Sequence, residues 1–206
     1  FEFGTSYKNS APVRLHMPGH KGRAYHGVED RDLTEIPGAD SLYEASGVIA
    51  ESEANASRLF GCPTFYSTEG SSQCIRAMLY LAMRHAQNAG KSPKILAARN
   101  AHKTFLSAAA LLDLDVCWLI DSAPSYLSAC PTPASVTAAI EREQPTAVYL
   151  TSPDYLGNMI DLAPIARVCH DHGVLLLVDS AHGAYLRFFT PSRHPMDLGA
   201  DLCCGS

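Results

Sequence analysis

The chain has 206 residues, 47% hydrophobic and 18% charged, with a net charge of −5, a composition suited to one sizeable soluble core. The acidic balance and the scarcity of clustered Lys or Arg argue against nucleic acid or an anionic membrane as a partner. With no apolar run of spanning length and no signal-peptide pattern in FEFGTSYKNS, a cytoplasmic location is expected.

The first 48 residues read as an irregular segment. Residues 11–25, APVRLHMPGHKGRAY, gather His16, His20, Lys21 and two arginines about a Pro-Gly turn without periodicity, which marks a polar loop that either is solvated or binds. DLTEIPGADSLYEASG stays irregular as far as Gly47. A helical pattern first appears at 49–60 and stops at Gly61. Regular alternation follows: strand 64–67, a turn at TEGSS, helix 72–88 with Ile75, Met78, Leu79, Ala82 and Met83 on one side, strand 94–98, helix 102–112 and strand 116–120. After a Pro- and Ser-rich loop come helix 134–143 behind Pro133, strand 146–151, helix 161–171, strand 174–178 and an apolar piece at 201–204. This order predicts an α/β fold, a mostly parallel sheet with helices on both faces. The seven cysteines form no Cys-x-x-Cys pair and no zinc spacing. Most of them read as small buried hydrophobes, the adjacent Cys203 and Cys204 as strand-interior residues with a redox pair as the alternative, and no metal site is expected.

Polar groups collect where strands end. The aliphatic run Val174 to Val178 closes on Asp179, followed by Ser180 and His182. In an open α/β sheet, ligands sit outside the carboxyl ends of the strands, although an Asp there equally serves as a helix cap or turn former. STEGSSQ joins a strand to a helix start, so Gly70, Ser71, Ser72 and their N–H groups could hold a phosphate or simply cap the helix. In RNAHKTF, His102 and Lys103 follow a strand end, and spacing alone leaves open whether either takes part in chemistry. In TSPDYLG, Ser152 and Asp154 follow another.

Together, LHMPGHKGR (15–23), DLTEIPGADSLYEASGVI (32–49), Phe60-Gly61, TEGSSQ (68–73), RNAHKT (99–104), TSPDYLG (151–157) and VDSAHGAY (178–185) resemble the Orn/Lys/Arg decarboxylase family of bacterial fold-type I pyridoxal phosphate enzymes. The resemblance implies pyridoxal 5′-phosphate as cofactor and lysine, ornithine or arginine as substrate. It gives Gly70, Ser71, Ser72 and Ser206 to the cofactor phosphate, His102 to the ring face and Asp179 to the protonated ring nitrogen. His182 falls beside the ring's phenolic oxygen or the substrate carboxylate. The same resemblance implies a homodimer or higher homo-oligomer, with His16, His20 and Lys21 reaching the active site across its interface. It divides the chain into 1–48, contributing to dimer and site, and 49–206, an incomplete cofactor-binding domain. The family continues Ser-x-His-Lys where this chain ends at Ser206, so the chain reads as an N-terminal fragment without the cofactor lysine, inactive by itself. Lys21 and Lys103 match other motifs and do not replace it. Glu35, Asp40 and Glu44 are weak candidates for meeting a cationic substrate. An aminotransferase or aldolase-like enzyme of the same fold, or a non-catalytic fragment pairing with an intact homologue, are the alternatives.

Overall fold

The computed structural model describes residues 2–34, 36–120, 125 and 127–206. Glu35, residues 121–124 and residue 126 of the Pro- and Ser-rich loop lie outside the described residues. The chain divides into two compact units, Phe1–Tyr66 and Ser67–Ser206, so the helix of residues 49–60 groups with the N-terminal unit.

In the first unit the sequence expectation of an irregular start is corrected by a helix, α1 (Glu2–Asn9). Gly4, Thr5 and Ser6 are weak helix formers and hide it, but Glu2 and Lys8 stand at the ends where the helix dipole favours them. Phe3 and Tyr7, four apart, stack with ring centroids 6.2 Å apart. The second helix, α2 (Val48–Phe60), ends on Gly61 at φ 72, whose N–H donates to Ser57 O. Its start is capped from a distance. The Asp40 carboxylate accepts backbone N–H bonds from Ser41, Ser46, Gly47, Ile49 and Ala50, and these, Ser46 foremost, hold its carboxyl well below the ordinary range. Asp40 is therefore a cap rather than a free acid awaiting a cation. The strand expected at 64–67 does not form. Thr64 N–H donates to Ser57 Oγ and Tyr66 N–H to Glu53 Oε1, so side chains of α2 take the backbone donors that a neighbouring strand would need.

The second unit is built on five parallel strands in the order β2-β1-β3-β4-β5: β1 (Lys94–Ala98), β2 (Asp115–Leu119), β3 (Ala147–Thr151), β4 (Leu175–Asp179) and β5 (Leu202–Cys204). The helices are α3 (Ser71–Asn88), α4 (Lys103–Leu111), α5 (Pro133–Glu143) and α6 (Leu162–Asp171). Every residue of β3 is buried, which explains the unbroken apolar reading of these strands. One face packs Leu96, Val148, Leu150, Leu176 and Val178 against Val136, Ile140, Ile165 and Cys169 of α5 and α6. The other packs Ile95, Ala97, Tyr149, Leu177 and Cys204 against Ile75, Leu79 and Phe105 of α3 and α4. The α/β expectation with helices on both faces holds. From β1 the chain passes first to β2 on one side and later to β3 on the other, so the switch point at which an open α/β sheet takes a ligand lies at the carboxyl ends of β1 and β3.

Candidate functional site at the carboxyl rim

The carboxyl ends of β1, β3, β4 and β5 form one rim, because all four strands run parallel. Helix α4 begins at this rim, directly after β1. Helix α3 begins there too, since its far end leads through a short turn to the opposite end of β1. Two helix N-termini thus meet the strand ends on one side of the sheet, each with N–H groups that its own helix leaves unpaired.

Gly70 caps α3 at φ 65, ψ −164, a conformation essentially confined to glycine. It turns the chain so that Ser71 and Ser72 open the helix. The Ser72 hydroxyl lies 3.2 Å from Thr104 Oγ1, which lies 2.9 Å from Nδ1 of His102. His102 is itself the N-cap of α4, its Nδ1 accepting from Thr104 N–H at 3.2 Å. That bond requires a lone pair on Nδ1, so the proton of the neutral ring is on Nε2. A hydroxyl chain therefore couples the anion-ready turn at 70–72 to the orientation of the imidazole.

Asp179 is the last residue of β4 and is 3% exposed. With Leu177 in the core beside α3 and α4, the two-residue period of the strand aims Asp179 to that same side. An unpaired carboxylate at this depth would cost several kcal/mol, roughly 3–5. Three donors offset that cost: Tyr149 OH to Oδ2 at 3.1 Å, Ala181 N–H to Oδ1 at 3.2 Å and Cys204 Sγ to Oδ1 at 3.3 Å. Burial first and the Asp179 charge second push the Tyr149 hydroxyl and the Cys204 thiol far up, so both keep their protons and remain donors.

Along the rim some buried polar atoms are left unsatisfied. Thr151 Oγ1 and both amide atoms of Asn100 are buried and make no hydrogen bond. Thr151 pairs with Asp179 across β3 and β4, on the face that Tyr149 shares. The orphaned Thr151 hydroxyl, on the strand beside a buried carboxylate with an acceptor position to spare, fits a polar ligand.

The exposed His182 stands at the rim with its ring centroid 6.3 Å from that of Tyr155, which is 6.4 Å from that of His102. Tyr155 thus links the two histidines of the sequence reading. Gly183 fits the 179–183 turn because a side chain there would meet Ser180, Pro153 and Leu186. Ser206 is exposed, two residues beyond β5. Lys103 opens α4 and is exposed. Ser152 and Asp154 serve structure: Ser152 Oγ accepts from Ile160 N–H, and the Asp154 carboxylate binds the backbone and side chain of Asn158, which holds it low despite burial.

His16, His20 and Lys21 belong to the first unit. Within it His16 Nε2 meets Tyr7 OH at 2.8 Å, Lys21 Nζ donates to His16 O at 2.6 Å and His20 Nε2 meets Asp32 Oδ2 at 3.0 Å. Gly22 N–H donates to His20 Nδ1, which leaves Nε2 to carry the proton toward Asp32. The loop of residues 15–23 is therefore braced by its own polar side chains.

Sequence reasoning did not single out Tyr149, Thr151, Asn100 or Thr104, and gave Cys204 no part in the site. For Tyr149 and Thr151 the signal was available, since the alternation along β3 places both on the Asp179 side. For Cys204 it was not, because register with β4 comes only from the folded sheet.

A profile of the Orn/Lys/Arg decarboxylase major domain matches residues 2–203. The chain is 28% identical to an arginine decarboxylase of Bacillus subtilis (strain 168) over 210 aligned positions, covering 95% of this chain and 42% of that protein. It is 29% identical to an arginine decarboxylase of Halalkalibacterium halodurans, with 95% and 42% covered. The chain thus spans about two-fifths of the length of these relatives. Among solved structures, Oryza sativa TDC with PLP matches at a TM-score of 0.61 and 19% identity, over 77% of this chain and 40% of that one. The alanine–glyoxylate aminotransferase from Nostoc sp. matches at 0.58 and 14%, over 76% and 40%. At such identities the likeness shows the fold, that of fold-type I pyridoxal phosphate enzymes.

Proposed function

The chain belongs to the Orn/Lys/Arg decarboxylase family, and from that premise we propose that it forms the cofactor-binding part of a pyridoxal phosphate-dependent decarboxylase of a basic amino acid. One observation carries this reading: a buried carboxylate, Asp179, shares a rim with a helix start whose glycine-only turn is suited to phosphate. When bound, the cofactor supplies an electron sink for the bond to the departing carboxylate.

The residues of this chain would do the holding. Ser71, Ser72 and the N–H groups of the 70–72 turn would take the phosphate, and the Ser72–Thr104–His102 chain would set the imidazole against the ring face. Asp179 would keep a proton on the ring nitrogen by accepting its hydrogen bond. Thr151 would give its unpaired hydroxyl to the ring edge. His182, exposed at the rim, would face the substrate carboxylate or the phenolic oxygen, and Ser206 would add to the phosphate contacts.

Arginine is the substrate favoured by the names of the curated relatives, with lysine and ornithine as the other members of the class. The product would be agmatine or a diamine, a polyamine precursor. We expect the whole protein to act as a homodimer in the cytoplasm, with residues 15–23 contributing to the site across the interface. Release of labelled carbon dioxide from arginine, lysine and ornithine by the whole protein tests the reading: turnover of at least one of the three is expected, and turnover of none would reject it. A keto acid product in place of an amine would favour an aminotransferase and reject decarboxylation.

A further inference from the structure

Asp179 receives donors from both neighbouring strands. Tyr149 comes from β3, its ring fixed against Phe105 at a centroid distance of 4.5 Å. Cys204 comes from β5 as the register partner of Asp179 and is 2% exposed. An ionised carboxylate offers about four acceptor positions, two on each oxygen. Ala181 N–H and Cys204 Sγ occupy Oδ1, and Tyr149 OH occupies one position on Oδ2. Among the described residues nothing else reaches this group, so one position on Oδ2 stays open.

We propose that Tyr149 and Cys204 are positioning residues that aim the Asp179 carboxylate and reserve one acceptor position on Oδ2 for the protonated nitrogen of the cofactor ring. This rests on the reading of Asp179 as the ring-nitrogen partner. Phe and Val would fill much the same space at 149 and 204 while donating nothing, so the roles of hydroxyl and thiol are separable from packing. Freed of them, the buried carboxylate could turn about its χ2, a soft torsion, and no longer present a fixed edge. Tyr149 is the stronger donor and Cys204 the weaker, so their effects should differ in size.

The test compares the affinity of the chain for pyridoxal 5′-phosphate with that for its 1-deaza analogue, in which carbon replaces the ring nitrogen. Unmodified protein is expected to prefer the natural cofactor, and Asp179→Ala to erase the preference. Tyr149→Phe should weaken the natural cofactor by about ten-fold and Cys204→Val by about three-fold, each leaving the analogue unaffected. Cys204→Ser, which restores a donor, should recover the loss. Equal weakening of both ligands, or no weakening, in Tyr149→Phe and Cys204→Val while Asp179→Ala still erases the preference would overturn the positioning role alone. Equal binding of both ligands by the unmodified protein would overturn the Asp179 reading and this proposal with it. Should Tyr149→Phe fail to fold, the Cys204 pair decides: recovery by Ser supports the role, and failure to recover rejects it.

Discussion

Gly183→Ala probes the turn that carries both Asp179 and His182. A methyl group at this position would overlap Ser180 Oγ, stand 2.8 Å from Cδ of Pro153 and 3.1 Å from Cδ1 of Leu186. Gly183 has φ −124, which any residue adopts, so the cost is packing alone. None of the three neighbours yields easily. Ser180 is 0% and Leu186 1% exposed, and the Pro153 ring is closed on its own backbone. Overpacking of a tight site costs about 1–3 kcal/mol; with three close neighbours, about 2–3 kcal/mol is expected. For a chain of this size each kcal/mol lowers the melting midpoint by about 2–4 °C, so a fall of roughly 4–12 °C should appear in a calorimetric scan. Ser180→Ala supplies the control. Its Oγ is buried and makes no hydrogen bond, so its removal alone should be neutral or slightly stabilising. In the double variant the worst overlap is gone while Pro153 remains, and about half the loss should return, a coupling of about 1 kcal/mol. An unchanged midpoint for Gly183→Ala, or strictly additive effects in the double variant, would refute the packing argument.

Gly70→Ala forces a side chain into φ 65, ψ −164, at a cost of about 1–3 kcal/mol. It should weaken pyridoxal 5′-phosphate by ten-fold or more while sparing pyridoxal, which has no phosphate, in parallel titrations. Thr104→Val removes the hydroxyl between Ser72 and His102 and should cost about 1–2 kcal/mol by denaturant melts, with cofactor affinity falling alongside. In the first unit, the backbone N–H groups of Glu29 itself, His26 and Gly27 hold the Glu29 carboxyl down to about 2 from an ordinary 4.5 against partial burial. A depressed carboxylate stabilises the fold above its unfolded value and loses that contribution as pH falls through its folded value. Amide exchange at His26, Gly27 and Val28 should therefore speed up between pH about 4.5 and about 2 relative to the global rate, and Glu29→Gln should remove that dependence.

Much of the second unit was legible because its strands are buried on both sides and its helices are bounded by strong punctuation. Thr132 before Pro133 makes a capping box with Ser135, and Gly199 ends the turn before β5. The first unit was harder to read. Its order comes from carboxylates such as Asp40 and Glu29 gathering backbone donors across a loop, a pattern with no period in sequence. For the same reason Thr64 to Ser67 resembled a strand, as β-branched and aromatic residues do, yet its donors are spent on α2. At the rim, the residues that would touch a ligand were visible as strand-end polar groups. The residues that aim them, Tyr149, Thr104 and Cys204, were not, because aiming depends on neighbours brought together by strand register and helix packing.

A crystal structure of the chain with pyridoxal 5′-phosphate tests the central claim most directly. The account expects the ring nitrogen at about 2.7–3.2 Å from Asp179 Oδ2, with the phosphate on the N–H groups of the 70–72 turn. A cofactor seated elsewhere, or with its nitrogen turned away from Asp179 while the phosphate keeps its place, would contradict it.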